Sequence, residues 1–150
     1  MDANPLDEYR RLIADVYELA GRSRATSEAF ARDTGQSAAR WHLLSVVSDE
    51  PATVPTIARR LGLVRQSVQR VANELAEESL VEFHDNPANR RSPRVGITAY
   101  GRDVAARLFA ESSRSRAQTL QRAGVTGAQL RAARQTLAAM NTALAELTDR

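Results

Sequence analysis

Residues 57–101 read IARRLGLVRQSVQRVANELAEESLVEFHDNPANRRSPRVGITAYG, and three patterns follow one another along the stretch. First comes the end of a short helix, Val54–Leu61, with Thr53 as its N-cap and Pro55 in its first turn, where a missing N–H costs little. Ile57, Ala58 and Leu61 are its apolar side, and Gly62 closes it and opens a tight turn. A second helix follows over about 65–78. Its stripe of Val68, Val71, Ala72 and Leu75 recurs at helical spacing, while the opposite face carries Arg65, Gln66, Gln69, Arg70 and Asn73. The pattern then changes to period two. Val81 and Phe83 alternate with Glu82 and His84 within Leu80–His84, and Val95 and Ile97 alternate within Arg94–Thr98. Between these two strands lies Asp85–Pro93, polar and bounded by proline. The stretch predicts helix, turn, helix and then an antiparallel hairpin with a long basic tip.

Outward from this centre the chain reads as helix. Leu6, Tyr9, Ile13, Val16, Tyr17 and Ala20 make one apolar stripe on a helix of about 6–32, which Gly35 ends. A second helix covers Ser37–Ser48, with Trp41, Leu44 and Val47 inward. A fifth helix begins after Thr98 and runs to about Arg122 through Val104, Leu108 and Leu120, and Gly124 breaks it. The sixth starts at a capping box, Thr126 with Gln129, flanked by the Val125–Leu130 staple. Along it Leu130, Leu137 and Leu144 recur every seven residues, with Ala133, Met140 and Leu147 three positions later. This apolar seam of about three heptads is too apolar to leave exposed. It suits either a second copy of the chain or the first helix of the same chain.

The fold class expected is all-α with a small β-hairpin wing. One domain fills residues 1–150. The helix-turn-helix and hairpin form a lobe at 37–101, and long helices flank it at 1–34 and 102–150. With 43% hydrophobic and 26% charged residues the composition is that of an ordinary globular chain. Aromatic residues are scarce, so the core must come from Leu, Val, Ile and Ala. There is no cysteine, which removes disulfides, thiolate metal sites and thiol chemistry. No apolar run approaches the roughly 18 residues of a membrane span, and Met1–Arg10 lacks the apolar centre of a signal peptide. A cytoplasmic protein without a membrane partner is the default reading. Catalysis needs convergent acids, bases or nucleophiles. The two histidines, His42 and His84, stand far apart, and there is no phosphate-cradling glycine loop and no metal-ligand spacing. An enzyme is therefore not expected, nor is a cofactor or a metal.

All 21 basic residues are arginine. The net charge of +3 permits a nucleic-acid partner without requiring one, so position carries the argument. A helix-turn-helix presents its second helix to the major groove of double-stranded DNA. Arg70 can fork onto guanine, and Gln66 or Gln69 can pair with adenine. Ser67 can meet a base or a phosphate, and Arg65 at the helix start suits phosphate. Arg90, Arg91 and Arg94 cluster beside Asn89 at the hairpin, placed to enter the neighbouring minor groove. Two other uses of such a module remain in view: protein contacts alone, and sequence-independent architectural DNA binding.

Residues 40–101 resemble the multiple-antibiotic-resistance regulator (MarR) family of bacterial repressors. The matching features are Leu61-Gly62, the pair Leu80-Val81, the wing segment Asn89-Arg90-Arg91 and the exit Ile97-Thr98-Ala99-Tyr100-Gly101. The long flanking helices extend the likeness over nearly the whole chain. The resemblance implies a homodimer built from the first, fifth and sixth helices, with Leu130, Leu137, Met140, Leu144 and Leu147 at its interface. It implies a repressor on a pseudo-palindromic operator, released by a small aromatic or phenolic effector in a pocket lined by Tyr9, Tyr17, Trp41 and His42. Read from the residues alone, Trp41, Tyr9 and Tyr17 are more often core, and a lone histidine such as His42 is usually structural. Two departures stand out. Asn89 replaces the acid expected to hold a wing arginine, and Ser79 replaces the glycine before the Leu-Val pair, where a left-handed backbone favours glycine.

Overall fold

Helix α1 (Pro5–Thr34) leads into α2 (Ala38–Val47), β1 (Ala52–Thr53), α3 (Val54–Leu61), α4 (Arg65–Glu77), β2 (Val81–His84), β3 (Arg94–Ile97), α5 (Ala99–Ala123) and α6 (Gly127–Thr148). This is a computed structural model, and it describes residues 4–34 and 36–148. The stop assigned to Gly35 lies outside the described residues. The chain falls into two compact units, Met1–Phe109 and Ala110–Arg150, whose boundary lies within α5.

The predicted helices appear, and the caps read at Thr53, Gly62 and Thr126 bound α3 and open α6. Thr53 Oγ1 accepts from Thr56 N–H, and Gly62 closes α3 in the left-handed conformation. At α6, Gln129 N–H donates to Thr126 Oγ1 and Thr126 N–H donates to Gln129 Oε1, the reciprocal pair of a capping box. Ser79 also takes the left-handed conformation, with φ 62°, the one positive φ among the described non-glycine residues. Leu80 N–H donates to Leu75 C=O and Ser79 N–H to Ala76 C=O, the two bonds of a Schellman ending. The helix therefore ends as a glycine would end it, and serine carries the steric cost.

Leu43, Leu44 and Val47 of α2 pack with Ile57 and Ala58 of α3, with Val68, Val71, Ala72 and Leu75 of α4, with Leu80 just before β2, and with Val81, Val95 and Ile97 of the sheet. Each fully buried Leu, Val or Ile contributes about 1.5–3 kcal/mol relative to exposure. Trp41 completes the core of this unit beside Phe30, their ring centroids 5.0 Å apart, and Phe109, at 6.2 Å.

The hairpin differs from its expectation in one respect. It gains a third strand, because Ala52 pairs with Val95 and Thr53 with Arg94, giving the order β1-β3-β2. Two residues show no period, so nothing local announces β1. Phe83, which alternates in phase with Val81, is 39% exposed although Val81 is buried. The sheet buries Val81, Val95 and Ile97 at its α4 end, and β2 leaves the core beyond Val81.

The exit motif has a clear physical role. Thr98 Oγ1 donates to Ser79 C=O at 2.7 Å and accepts from Gly101 N–H at 2.9 Å, while Thr98 N–H donates to Leu80 C=O at 3.1 Å. These bonds join the first turn of α5 to the end of α4. A Cβ on Gly101 would sit 2.0 Å from Leu80 O, so only glycine fits.

The N-terminal stripe of α1 stays open in the single chain, with Leu6 and Tyr17 each 76% exposed. Helix α6 likewise buries none of its described residues.

Candidate nucleic-acid interface

Helix α4 offers its core stripe inward and a polar face outward. Arg65, Gln66, Gln69, Arg70 and Asn73 are exposed and Ser67 is half-buried. Val64, in the N-cap position, provides no side-chain cap for the first turn. On the outer face Gln69 donates to Asn73 Oδ1 at 2.9 Å, and Arg70 donates to Glu74 Oε1 at 2.7 Å. Both are partners one turn apart on one helix face.

Arg40 of α2 fixes the far end of α4. Its guanidinium bonds both oxygens of Glu78, and its Nε donates to Gln36 Oε1 at 3.0 Å. The Arg40 side chain is only 14% exposed. The hydrogen bond from Arg40, and secondarily its charge, hold the Glu78 carboxyl below its ordinary pKa. That paired geometry orients the helix on the core more than it adds stability, because Glu78 is largely solvated.

The wing tip is ordered by its own asparagines. Asn89 N–H donates to Asn86 C=O, Ser92 N–H to Asn89 C=O, and Asn86 Nδ2 to Ser92 C=O at 2.9 Å. Asn89 Oδ1 accepts from the backbone N–H of Arg91 at 3.2 Å. An amide at this position therefore still shapes the tip, through a backbone bond that needs no charge. Asn89, Arg90, Arg91 and Arg94 are all exposed.

Helix and wing converge. Arg65, Gln66 and Gln69 line a cavity of about 320 Å³ together with Arg91, Ser92 and Pro93 of the wing and Val54 and Pro55 of α3. Arg90 faces elsewhere, into a hollow of about 480 Å³ with Asp85, Asn86, Pro87 and Pro93. Segments 65–73 and 89–94 together hold five arginines and no acid. A concave, cationic surface of this kind focuses positive potential and attracts a phosphate backbone. Sequence reasoning missed Val54 and Pro55, which reach the site because Thr53 is both strand and helix cap. It also passed over Glu74, although its four-residue spacing from Arg70 was legible.

The four residues assigned to an effector pocket divide. Trp41 is buried and His42 half-buried, their rings 6.1 Å apart, with His42 Nε2 3.0 Å from Ser27 Oγ. Tyr9 and Tyr17 are exposed on α1, at 45% and 76%. Of the seam residues, Leu137 and Met140 are half-buried, and Leu130, Leu144 and Leu147 are exposed. No helix among the described residues is long and apolar enough to cross a membrane.

Residues 34–92 match the model of the MarR family. An uncharacterized protein of Mycobacterium tuberculosis and one of Mycobacterium bovis are each 54% identical to the chain over 98 residues, 65% of this chain and 68% of theirs. Among solved structures, the transcriptional regulator BldR from Sulfolobus solfataricus matches with a TM-score of 0.70 at 19% identity, over 96% of this chain and 99% of its own. A MarR-family transcriptional regulator from Silicibacter pomeroyi matches with a TM-score of 0.67 at 25% identity, over 87% of this chain and 86% of its own. The segment matched by the family model runs from the end of α1 through α4 to the wing arginines Arg90 and Arg91, the surface just described. The chain belongs to the MarR family and is a winged-helix, DNA-binding regulator of transcription.

Proposed function

We propose that the protein is a homodimeric repressor that reads a pseudo-palindromic operator with α4 and steadies itself on the backbone with the wing. The observation that supports this most directly is the shared lining of one cationic cavity by Arg65, Gln66 and Gln69 of α4 and by Arg91 of the wing. In this reading Arg70, Gln66, Gln69 and Asn73 meet base edges, Ser67 meets a base or a phosphate, and Arg65 meets phosphate. Asn89 shapes the tip while Arg90, Arg91 and Arg94 provide positive charge toward the minor groove. MarR-family regulators act as dimers. The unburied stripe of Leu130, Leu137, Met140, Leu144 and Leu147 supports the same assembly here, with recognition helices about one DNA turn apart.

An effector, a small aromatic or phenolic acid, is proposed beside Trp41 and His42, where Phe30 and Phe109 add ring surface. Tyr9 and Tyr17 belong to this proposal as walls that a second copy would complete. Binding would act by favouring one separation of the two recognition helices over another.

The test is a salt-titrated binding measurement on duplexes selected from random DNA. A site bound many-fold better than random sequence, with a steep salt slope, supports the regulator. Equal binding to every duplex supports an architectural binder, and no binding at low salt supports a protein-contact module. Arg70→Ala is expected to weaken operator binding by roughly 1–3 kcal/mol and to relax preference at one base pair. Equal loss on operator and random DNA would remove its base-reading role. Arg91→Ala is expected to weaken all binding and to reduce the salt slope by about one. A slope identical to that of the parent protein would take the wing off the DNA.

A further inference from the structure

The outer arginine of α4 is not a free cation. Its Nη1 donates to Glu74 Oε1 at 2.7 Å, and the other oxygen of that carboxylate lies 3.9 Å from Arg40 Nη1. Arg40 is itself immobilised by its paired bonds to Glu78 and by Gln36. Exposure rises along the line, from 14% at Arg40 through 39% at Glu74 to 68% at Arg70. A nearly buried cation thus anchors a half-exposed carboxylate, and that carboxylate holds the exposed guanidinium.

We propose that Glu74 is a positioning and specificity-determining residue: it holds Arg70 in the orientation that meets a base and penalises its use on any phosphate. This rests on the reading of α4 as the DNA-reading helix. The bond to Glu74 occupies Nη1 and leaves Nε and Nη2, one edge of the guanidinium, to fork onto a guanine. An arginine already held in this way loses less freedom on binding the correct base. On random DNA the same arginine gains most by swinging to a phosphate, and it must then leave its carboxylate. That carboxylate, left with only its 3.9 Å contact to Arg40, faces the phosphates with like charge. Specificity here comes from a repulsive element set against the wrong partner as well as an attractive one for the right partner. Glu74 is the one acid directly paired with the arginines of the α4 and wing surface among the described ion pairs. Arg40 keeps it from turning away.

The experiment uses the full chain and three duplexes: one recovered by selection from random DNA, the same duplex changed at the base pair that Arg70 reads, and a random sequence. Glu74→Gln keeps the size of the side chain and removes its charge. It is expected to tighten binding to the random duplex roughly three- to tenfold and to steepen its salt slope by about one, as Arg70 becomes free to join the phosphates. Discrimination between the selected duplex and its single-base variant is expected to fall by a similar factor. In the Arg70→Ala background, Glu74→Gln is expected to change discrimination no further, because its effect passes through Arg70. Discrimination that stays at the parent value in Glu74→Gln, while Arg70→Ala lowers it, overturns the role of Glu74 and leaves α4 as the reading helix. So does a change in melting temperature with unchanged discrimination. If Arg70→Ala itself leaves discrimination intact, the reading of α4 fails and the proposal falls with it.

Discussion

Replacing Leu137 and Leu144 together by glutamate is expected to give a monomer that binds its operator two to four orders of magnitude more weakly. The two positions belong to the seven-residue repeat of α6, a helix that buries none of its described residues in the single chain. Leu144 is 41% exposed and Leu147 is 70% exposed, so water meets a continuous apolar stripe unless another surface covers it. A two-fold interface uses the same patch twice, so each substitution places two carboxylates in it. Desolvating an unpaired ion costs several kcal/mol, more than such a seam contributes at that position. The monomer keeps one recognition helix and loses the second, whose binding had been intramolecular, hence a loss of roughly 10²–10⁴. Sedimentation equilibrium gives the mass, and titration with full and half operators gives the affinity. A variant of dimer mass places the interface elsewhere. A monomer with undiminished operator binding removes the case for paired recognition helices.

Gly101→Ala is expected to destabilise the protein by about 3 kcal/mol, at the upper end of overpacking costs, lowering its melting temperature by roughly 6–12 °C. The added methyl would lie 2.0 Å from Leu80 O and 2.9 Å from Ile97 Cγ1. A flexible side chain can yield, but this carbonyl cannot easily do so, because it accepts from Thr98 N–H at 3.1 Å and follows the strained Ser79 turn. Relief requires the first turn of α5 to lift from the end of α4. Gly21→Ala is the matched control. It lies within α1 with nothing near its Cβ position, so the same change there is expected to stabilise by about 0.5–1 kcal/mol. Calorimetry of the two variants decides the matter. A Gly101→Ala melting point at or above that of the parent would show that the contact relaxes freely.

The Gly101 contact also marks where reading from sequence stops. The motif Ile97-Thr98-Ala99-Tyr100-Gly101 is visible in the sequence, but its partner is a carbonyl 21 residues earlier. Residues near in sequence were legible because their rules act within one or two turns. Thr53 and Gly62 bound α3, Thr126 and Gln129 start α6, and the stripe of α4 faces the core as its spacing demands. Strand β1 was not legible, because two residues have no period and Ala52 is a strand only through Val95, far along the chain. Phe83 shares the phase of Val81 yet is exposed, because alternation indicates which side a residue faces and gives no information on whether anything lies there. The arginines of the wing looked equivalent. Folding gives Arg91 to the cavity beside α4 and turns Arg90 to a separate hollow.

Helix type, caps, the core-facing stripe and the choice of arginine and glutamine on the outer side of α4 are all written locally, since hydrogen-bond and hydrophobic periodicity operate over a few residues. The meeting of α4 with the wing, the hold of Arg40 on Glu78 across 38 residues, and the clearance that only Gly101 meets arose when distant segments packed. Contacts of that kind depend on how close-packed elements exclude one another's volume, a property of the assembled core that no single stretch of chain contains.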